Sequence, residues 1–198
     1  VEDATLRQFL PMMLEQSRRM QNLVEDLLTL SRIENGPRTV LQDRVDMAGL
    51  METLVVEAEG LSQGRHRIVV KNACPHDLWG SAQELHSAFG NLVSNAVRYT
   101  PEGGSIYLRW TQEDDGRVAF TVADTGIGIP REHLPRLTER FYRVDRGRSR
   151  GNGGTGLGLA IVKHVLARHH AKLDIQSEPD KGSVFSVIFN PEQVASRD

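Results

Sequence analysis

Residues 91–100 read Asn91-Leu92-Val93-Ser94-Asn95-Ala96-Val97-Arg98-Tyr99-Thr100, the closing turns of a segment that opens at Ser81. Ser81 and Glu84 stand at the spacing of a capping box, in which side chain and backbone satisfy each other's free donors at a helix start. A long helix ending near Tyr99 is therefore expected. Leu85, Ala88, Phe89, Leu92, Val93 and Ala96 make one apolar stripe at helical spacing, and Asn91, Asn95 and Arg98 fall at i, i+4 and i+7 along its flank. Asn is a mediocre helix former, so two of them one turn apart beside a buried stripe ask for a reason. An amide oxygen can ligate Mg²⁺ without adding charge, and Arg98 can meet a phosphate. A solvated helix edge is the competing reading.

Downstream, Ile106, Leu108 and Trp110 alternate with Tyr107 and Arg109, and Val118, Phe120 and Val122 repeat the two-residue period after an Asp115-Gly116 turn. These are paired strands. Asp124-Thr125-Gly126-Ile127-Gly128-Ile129-Pro130 follows at once. A carboxylate at a strand end, then two glycines that let backbone approach a flat ligand, can accept a hydrogen bond from an exocyclic amine such as that of adenine, or can form a plain tight turn. Gly151-Asn152-Gly153-Gly154-Thr155-Gly156-Leu157-Gly158-Leu159 places five glycines in eight positions ahead of a helical pattern from Leu157 to His170. Such a segment can present backbone N–H groups and a helix N-terminus to a polyphosphate, or can be a flexible loop. It lacks the Lys-Ser or Lys-Thr of a Walker A loop and the third glycine of the dinucleotide fingerprint. Arg140, Arg143, Arg146, Arg148 and Arg150 cluster around Phe141-Tyr142 and this loop. With two nearby aromatics, a mobile cationic lid over phosphates, spanning residues 145–155, fits them better than a nucleic-acid patch. Alternating runs from Leu173 to Ser177 and Val184 to Phe189 flank an Asp180-Lys181-Gly182 turn.

Upstream, a short strand is expected around Val40, a helix from Asp46 to Glu59 closed by Gly60, and a strand through Ile68-Val69-Val70. Hairpin strands and helices in separate runs point to an α+β layer sandwich rather than a doubly wound parallel sheet. Residues 5–35 form a helix whose apolar face (Leu6, Leu10, Met13, Met20, Leu23, Val24, Leu27, Leu28, Leu30) is too wide for a lone surface helix and wants a partner. Pro11 either starts it or kinks it, and Asn35-Gly36-Pro37 stops it.

The 198 residues carry a formal net charge of -2, which gives no global reason to expect nucleic acid as a partner. One cysteine, Cys74, excludes an intrachain disulfide framework and fits the reducing cytoplasm. No apolar run approaches the roughly 18 residues that would span a bilayer.

The order of these elements resembles the Bergerat-fold ATP-binding domain of bacterial sensor histidine kinases. NLVSNAVRYT (91–100) is similar to that family's N-box, DTGIGIP (124–130) to its G1 box, ERFYRVD (139–145) to its F-box and GGTGLGLAIVK (153–163) to its G2 box. LLTLSRIENG resembles the end of the second helix of the family's dimerisation and phosphotransfer hairpin, so the resemblance divides the chain into residues 1–36, part of that hairpin, and 37–198, the catalytic domain. PRLTERFYRVDRGRSR is especially similar to the phosphate-regulon branch of the family.

The resemblance implies ATP and Mg²⁺ as ligands, phosphate-starvation signalling as the setting, and the cytoplasmic portion of an inner-membrane sensor as the location. It implies that Asn95 holds Mg²⁺ with Asn91 beside it, and that Arg98 contacts phosphate. Tyr99 would lie against adenine, Asp124 would take its amine, and Gly126 and Gly128 would allow its approach. Arg143 would reach the γ-phosphate, making Asn95 and Arg143 the catalytic pair. Gly154, Thr155, Gly156, Leu157 and Gly158 would line the phosphates, and Ser183 would act through water. Gyrase and the Hsp90 chaperones share the fold but carry a glutamate general base where this chain has Asn91, an amide that cannot abstract a proton. That favours transfer to a protein acceptor over hydrolysis.

The family phosphorylates a histidine on the first hairpin helix, and none of His66, His76, His86, His133, His164, His169 and His170 has that context. The acceptor is expected outside this chain, with a response regulator and a homodimer through the hairpin as partners. Among the seven, His164 is expected in the core and His169-His170 next to a helix end, where a cationic imidazole suits the dipole. A non-transferring nucleotide-binding or dimerisation module and a Bergerat-fold ATPase are the alternatives.

Overall fold

Period-two burial makes β4 (Ser105–Gln112) and β5 (Val118–Asp124) the centre of the sheet: Ile106, Leu108, Trp110, Phe120 and Val122 are fully buried, while Arg109 between them is exposed. The computed structural model describes residues 2–36, 43–144 and 154–196. Five strands run in the order β2-β4-β5-β7-β6, where β2 is Arg67–Asn72, β6 Lys172–Glu178 and β7 Gly182–Phe189. β2 lies parallel to β4, and the other pairs are antiparallel. A second sheet, β1-β3-β8, joins Asp43–Val45, Asp77–Gly80 and Val194–Ala195.

Helices α2 (Met47–Ser62), α3 (Ala82–Tyr99) and α4 (Gly158–Arg168) supply the other layer, which gives the expected α+β sandwich. The α3 stripe is buried as its spacing requires, and its Phe89 ring stacks on Phe120 at 4.1 Å between centroids and meets Phe189 edge-on at 6.3 Å. Truncating such a ring to Ala costs about 3–5 kcal/mol in typical cores.

Several local expectations are corrected. α2 passes Gly60 and ends at Gln63, in the left-handed region at φ 50, because Ala58 and Ser62 continue its buried face while Gly60 is exposed. One glycine in a helix costs about 1 kcal/mol, less than exposing that turn. At the start of α3, Ser81 Oγ accepts Glu84 N–H at 3.3 Å, but the Glu84 carboxylate accepts from Arg168 Nε at 3.0 Å, and the Ser81 N–H goes to His169 Nε2. The box is therefore half formed, its second half replaced by groups at the end of α4. His164 is half-exposed and faces Glu34, whereas His169 is wholly buried. Burial depresses the His169 imidazole, so it is neutral and no cationic cap. The strand expected at Val40 lies outside the described residues.

α1 (Glu2–Asn35) is one helix that runs through Pro11. Its C-terminal turns dock on α4, burying Leu30 and Ile33, and Arg168 Nη1 donates to Ile33 O at 3.1 Å. Phe9, Leu10, Met13, Met20, Val24 and Leu28 remain exposed along it. Among the described residues no helix is long and apolar enough to cross a membrane.

Candidate functional site

The last residue of β5, Asp124, accepts Gly126 N–H through Oδ1 at 2.8 Å and lies opposite Ser183 in the β5–β7 register. Burial pushes its carboxyl above the ordinary range, against the pull of the Gly126 and Ser183 N–H groups. Gly126 has no room for a side chain: a Cβ there would stand 2.5 Å from Tyr99 O and 2.6 Å from Asp124 Oδ1. Ile127 N–H then donates to Tyr99 O at 3.2 Å, fastening this loop to the end of α3. Gly128 has φ +65, and a Cβ on it would run into Glu178 O at the end of β6. Near the end of β6 Ser177 Oγ accepts Ile129 N–H at 2.8 Å and stands 2.9 Å from Ser183 Oγ.

The glycine-rich segment approaches α3 from the other side. Gly154 O accepts Arg143 Nη1 at 2.7 Å, and a Cβ on Gly154 would lie 2.9 Å from Arg98 Nη1 and 3.8 Å from Tyr99 Oη. Gly156, at φ +76, packs under Phe141, whose N–H donates to Gly156 O at 2.9 Å. Thr155 Oγ1 accepts Leu157 N–H at 3.2 Å, and Gly158, the first residue of α4, lies directly against Asn91 Oδ1. Asn91 Nδ2 is spent on Ser87 O at 2.8 Å.

Two clusters therefore meet at the C-terminal turn of α3. Asp124, Gly126, Gly128 and Ser183 form one, backed by the β6–β7 turn. Asn91, Arg98, Arg143, Gly154, Thr155, Gly156, Leu157 and Gly158 form the other, and Tyr99 touches both. Asn95 is half-buried one turn beyond Asn91, and its side chain makes no hydrogen bond to another described residue. The lid expected at residues 145–155 falls, up to residue 153, outside the described residues, as do Arg146, Arg148 and Arg150.

Two features escaped the sequence reading. His133 Nδ1 and Tyr142 Oη are 2.7 Å apart and Arg136 lies over the Tyr142 ring at 4.3 Å, so the Arg143 segment is held by its neighbours. Asp26 on α1 accepts the Thr155 hydroxyl at 2.5 Å. Nothing in residue spacing announces a contact across 129 positions.

A half-buried acceptor beside a loop with no room for side chains suits a flat heterocycle bearing an amine. Arg98, Arg143 and uncapped backbone at the start of α4 suit anionic oxygens. Among the described residues no three His, Cys, Asp or Glu side chains converge on a metal position. The oxygen-donor chemistry of Asn95 and Asn91 fits a hard cation such as Mg²⁺ that shares its ligands with phosphate.

Residues 80–193 match the family described as histidine kinase-, DNA gyrase B-, and HSP90-like ATPase, and residues 1–36 match the His kinase A (phospho-acceptor) domain. The phosphate regulon sensor protein PhoR of Pseudomonas aeruginosa is 50% identical, over 98% of this chain and 44% of the relative. The protein of the same name from Haemophilus influenzae is 38% identical, over 93% of this chain and 43% of the relative. The chain thus spans less than half the length of these curated relatives. A crystal structure of full-length ShkA in complex with AMPPNP superposes with a TM-score of 0.78 at 27% identity, covering 96% of this chain and 39% of that one.

Proposed function

The chain belongs to the histidine kinase-, DNA gyrase B-, and HSP90-like ATPase family, and on that premise we propose that it binds Mg²⁺-ATP and serves as the catalytic portion, residues 37–198, of a sensor histidine kinase, with residues 1–36 part of its phosphotransfer hairpin. The observation that carries this reading is the convergence of the Asp124 loop and the glycine-rich loop on one turn of α3.

In this reading Asp124 accepts the exocyclic amine of adenine, Gly126 and Gly128 keep the loop low enough for the base to enter, and Tyr99 lies against the ring. Ser183 reaches the base through water. Arg98 and the backbone of Gly154, Thr155, Gly156, Leu157 and Gly158 hold the phosphates, Asn95 ligates the metal with Asn91 beside it, and Arg143 faces the γ-phosphoryl group. Bound Mg²⁺ supplies neutralising charge to the phosphate oxygens. Arg143 keeps its guanidinium directed by donating to Gly154 O, so its positive charge stands ready where negative charge is spread in transfer.

Asn91 separates this reading from a hydrolase. Its Nδ2 is tied to Ser87 O, its Oδ1 meets Gly158, and an amide takes no proton from water. The γ-phosphoryl group therefore goes to a histidine of the parent's first hairpin helix, and then to an aspartate of a response regulator. Phosphate-starvation signalling is the proposed setting of that relay, a reading supported by the name phosphate regulon sensor protein that the relatives from P. aeruginosa and H. influenzae carry.

Competition between ATP and GTP tests the adenine end. The guanine carbonyl would face the Asp124 carboxylate, at a cost of about 1–3 kcal/mol, or roughly 5- to 150-fold in affinity. Equal binding of the two nucleotides would remove Asp124 from this role.

A further inference from the structure

Asp26 sits on the seam by which α1 docks on the rest of the chain. Leu23, Leu30 and Ile33 of the same seam pack into the core at helical spacing from it. Below them Glu34 pairs with Arg140 and stands 3.4 Å from His164 Nε2, and Arg168 reaches Ile33 O. The docked position of α1 is thus held by packing and by ion pairs that do not involve Asp26.

Asp26 itself is turned to the phosphate end of the proposed nucleotide site. Its Oδ2 accepts the Thr155 hydroxyl, and Thr155 Oγ1 accepts Leu157 N–H one residue before α4. Burial raises the Asp26 carboxyl above its ordinary range, against the Thr155 hydroxyl and the positive charge of Arg98, the cation beside Gly154, which both pull it down. The carboxylate therefore occupies the hydroxyl that sits at the start of α4 and lies in the field of the cation that a polyphosphate would use. Two anions cannot share these groups without strong repulsion.

We propose that Asp26 is a resident competitor for nucleotide phosphate, contributed by the hairpin helix, so that docking of α1 and binding of a polyphosphate oppose each other. The proposal rests on the nucleotide reading of the site. Linkage makes the effect reciprocal: phosphate loosens α1 as much as docked α1 weakens phosphate. The hydrogen bond of Asp26 goes to Thr155 and the cation whose charge it feels is Arg98, both at the phosphate end, so the adenine end is untouched.

Asp26→Asn keeps the size and removes the charge at a half-exposed helix position, and calorimetry on the whole chain with Mg²⁺ present reads its effect. The variant binds ATP about tenfold more tightly than the wild-type chain, as expected for removing one charge-assisted competitor, while adenosine binds both equally. Hydrogen exchange gives a readout that needs no variant: ATP speeds exchange in residues 23–33 of α1, and adenosine does not. Unchanged or weaker ATP binding by Asp26→Asn, or α1 exchange indifferent to ATP, overturns the competitor. A wild-type chain that binds neither ATP nor adenosine overturns the nucleotide reading, and this proposal with it.

Discussion

His169 Nε2 accepts the backbone N–H of Ser81 at 3.1 Å, tying the end of α4 to the first turn of α3. Its Nδ1–H donates to Val165 O at 2.9 Å, so both ring nitrogens are used by the neutral tautomer. Arg168 and Glu84 pair beside it at 3.0 Å. α3 carries Asn91 to Tyr99 and α4 begins at the glycine-rich loop, so this junction sets the distance between the two walls of the proposed site.

Burial holds the His169 imidazole below its ordinary value, more than Glu84 at 3.8 Å raises it. The unfolded chain takes up that proton near pH 6.5, while the folded chain resists it. Linkage then gives stability that is fully present above about pH 6.5 and is lost as pH falls toward the depressed value. His169→Leu loses about 1–3 kcal/mol at pH 8 by orphaning the Ser81 N–H, while Val165 O keeps the backbone N–H of residue 169, and its stability falls less steeply below pH 6.5. Denaturant unfolding at several pH values checks both; an unaltered acid slope would contradict the buried neutral imidazole.

Asp124 has the opposite sign. Its carboxyl is raised by burial, so protonation occurs at a higher pH than for an exposed carboxylate. As pH falls through that raised value toward the unfolded value of about 3.9, the ligand-free chain gains the stability that an ionised half-buried carboxylate withholds. Over the same range adenine loses its acceptor and ATP affinity falls. Asp124→Asn weakens ATP binding and removes its share of this pH dependence, as calorimetric titration across the acid range will show.

Asn95→Ala weakens Mg²⁺-ATP binding more than it weakens adenosine binding, because only the former uses a metal ligand. Equal losses for both would make Asn95 a structural residue of α3.

How far the sequence was legible follows from the range over which each signal acts. The α3 stripe and the β4, β5 and β7 alternations declare themselves because each runs through at least three periods and faces one core. β3 and β8 were missed: Asp77–Gly80 is four residues long, Val194–Ala195 two, and neither shows a period. The exchange of roles between His164 and His169 has a related cause. α4 ends at Arg168, and His169 turns inward just beyond it, where a helical period no longer assigns faces. In the candidate site, the four boxes were visible in residue types at short range. Asp26 was not, because its partner is a hydroxyl brought to it only by the docking of α1.

The exposed apolar residues of α1, among them Met13, Met20, Val24 and Leu28, predict self-association of the chain through this helix. Sedimentation at increasing concentration will show a monomer–dimer shift, and replacing Met20 and Val24 with Lys will suppress it. A monomer at all concentrations would leave this face without a second copy as its cover.

Transfer of the γ-phosphoryl group tests the central claim most directly. The chain is incubated with Mg²⁺ and γ-radiolabelled ATP, alone and with a hairpin that carries the parent's acceptor histidine. The account predicts acid-labile label on the supplied hairpin, none on the chain, and no steady release of free phosphate without the hairpin. Acid-labile label on this chain alone, or acceptor-independent phosphate release, would contradict it.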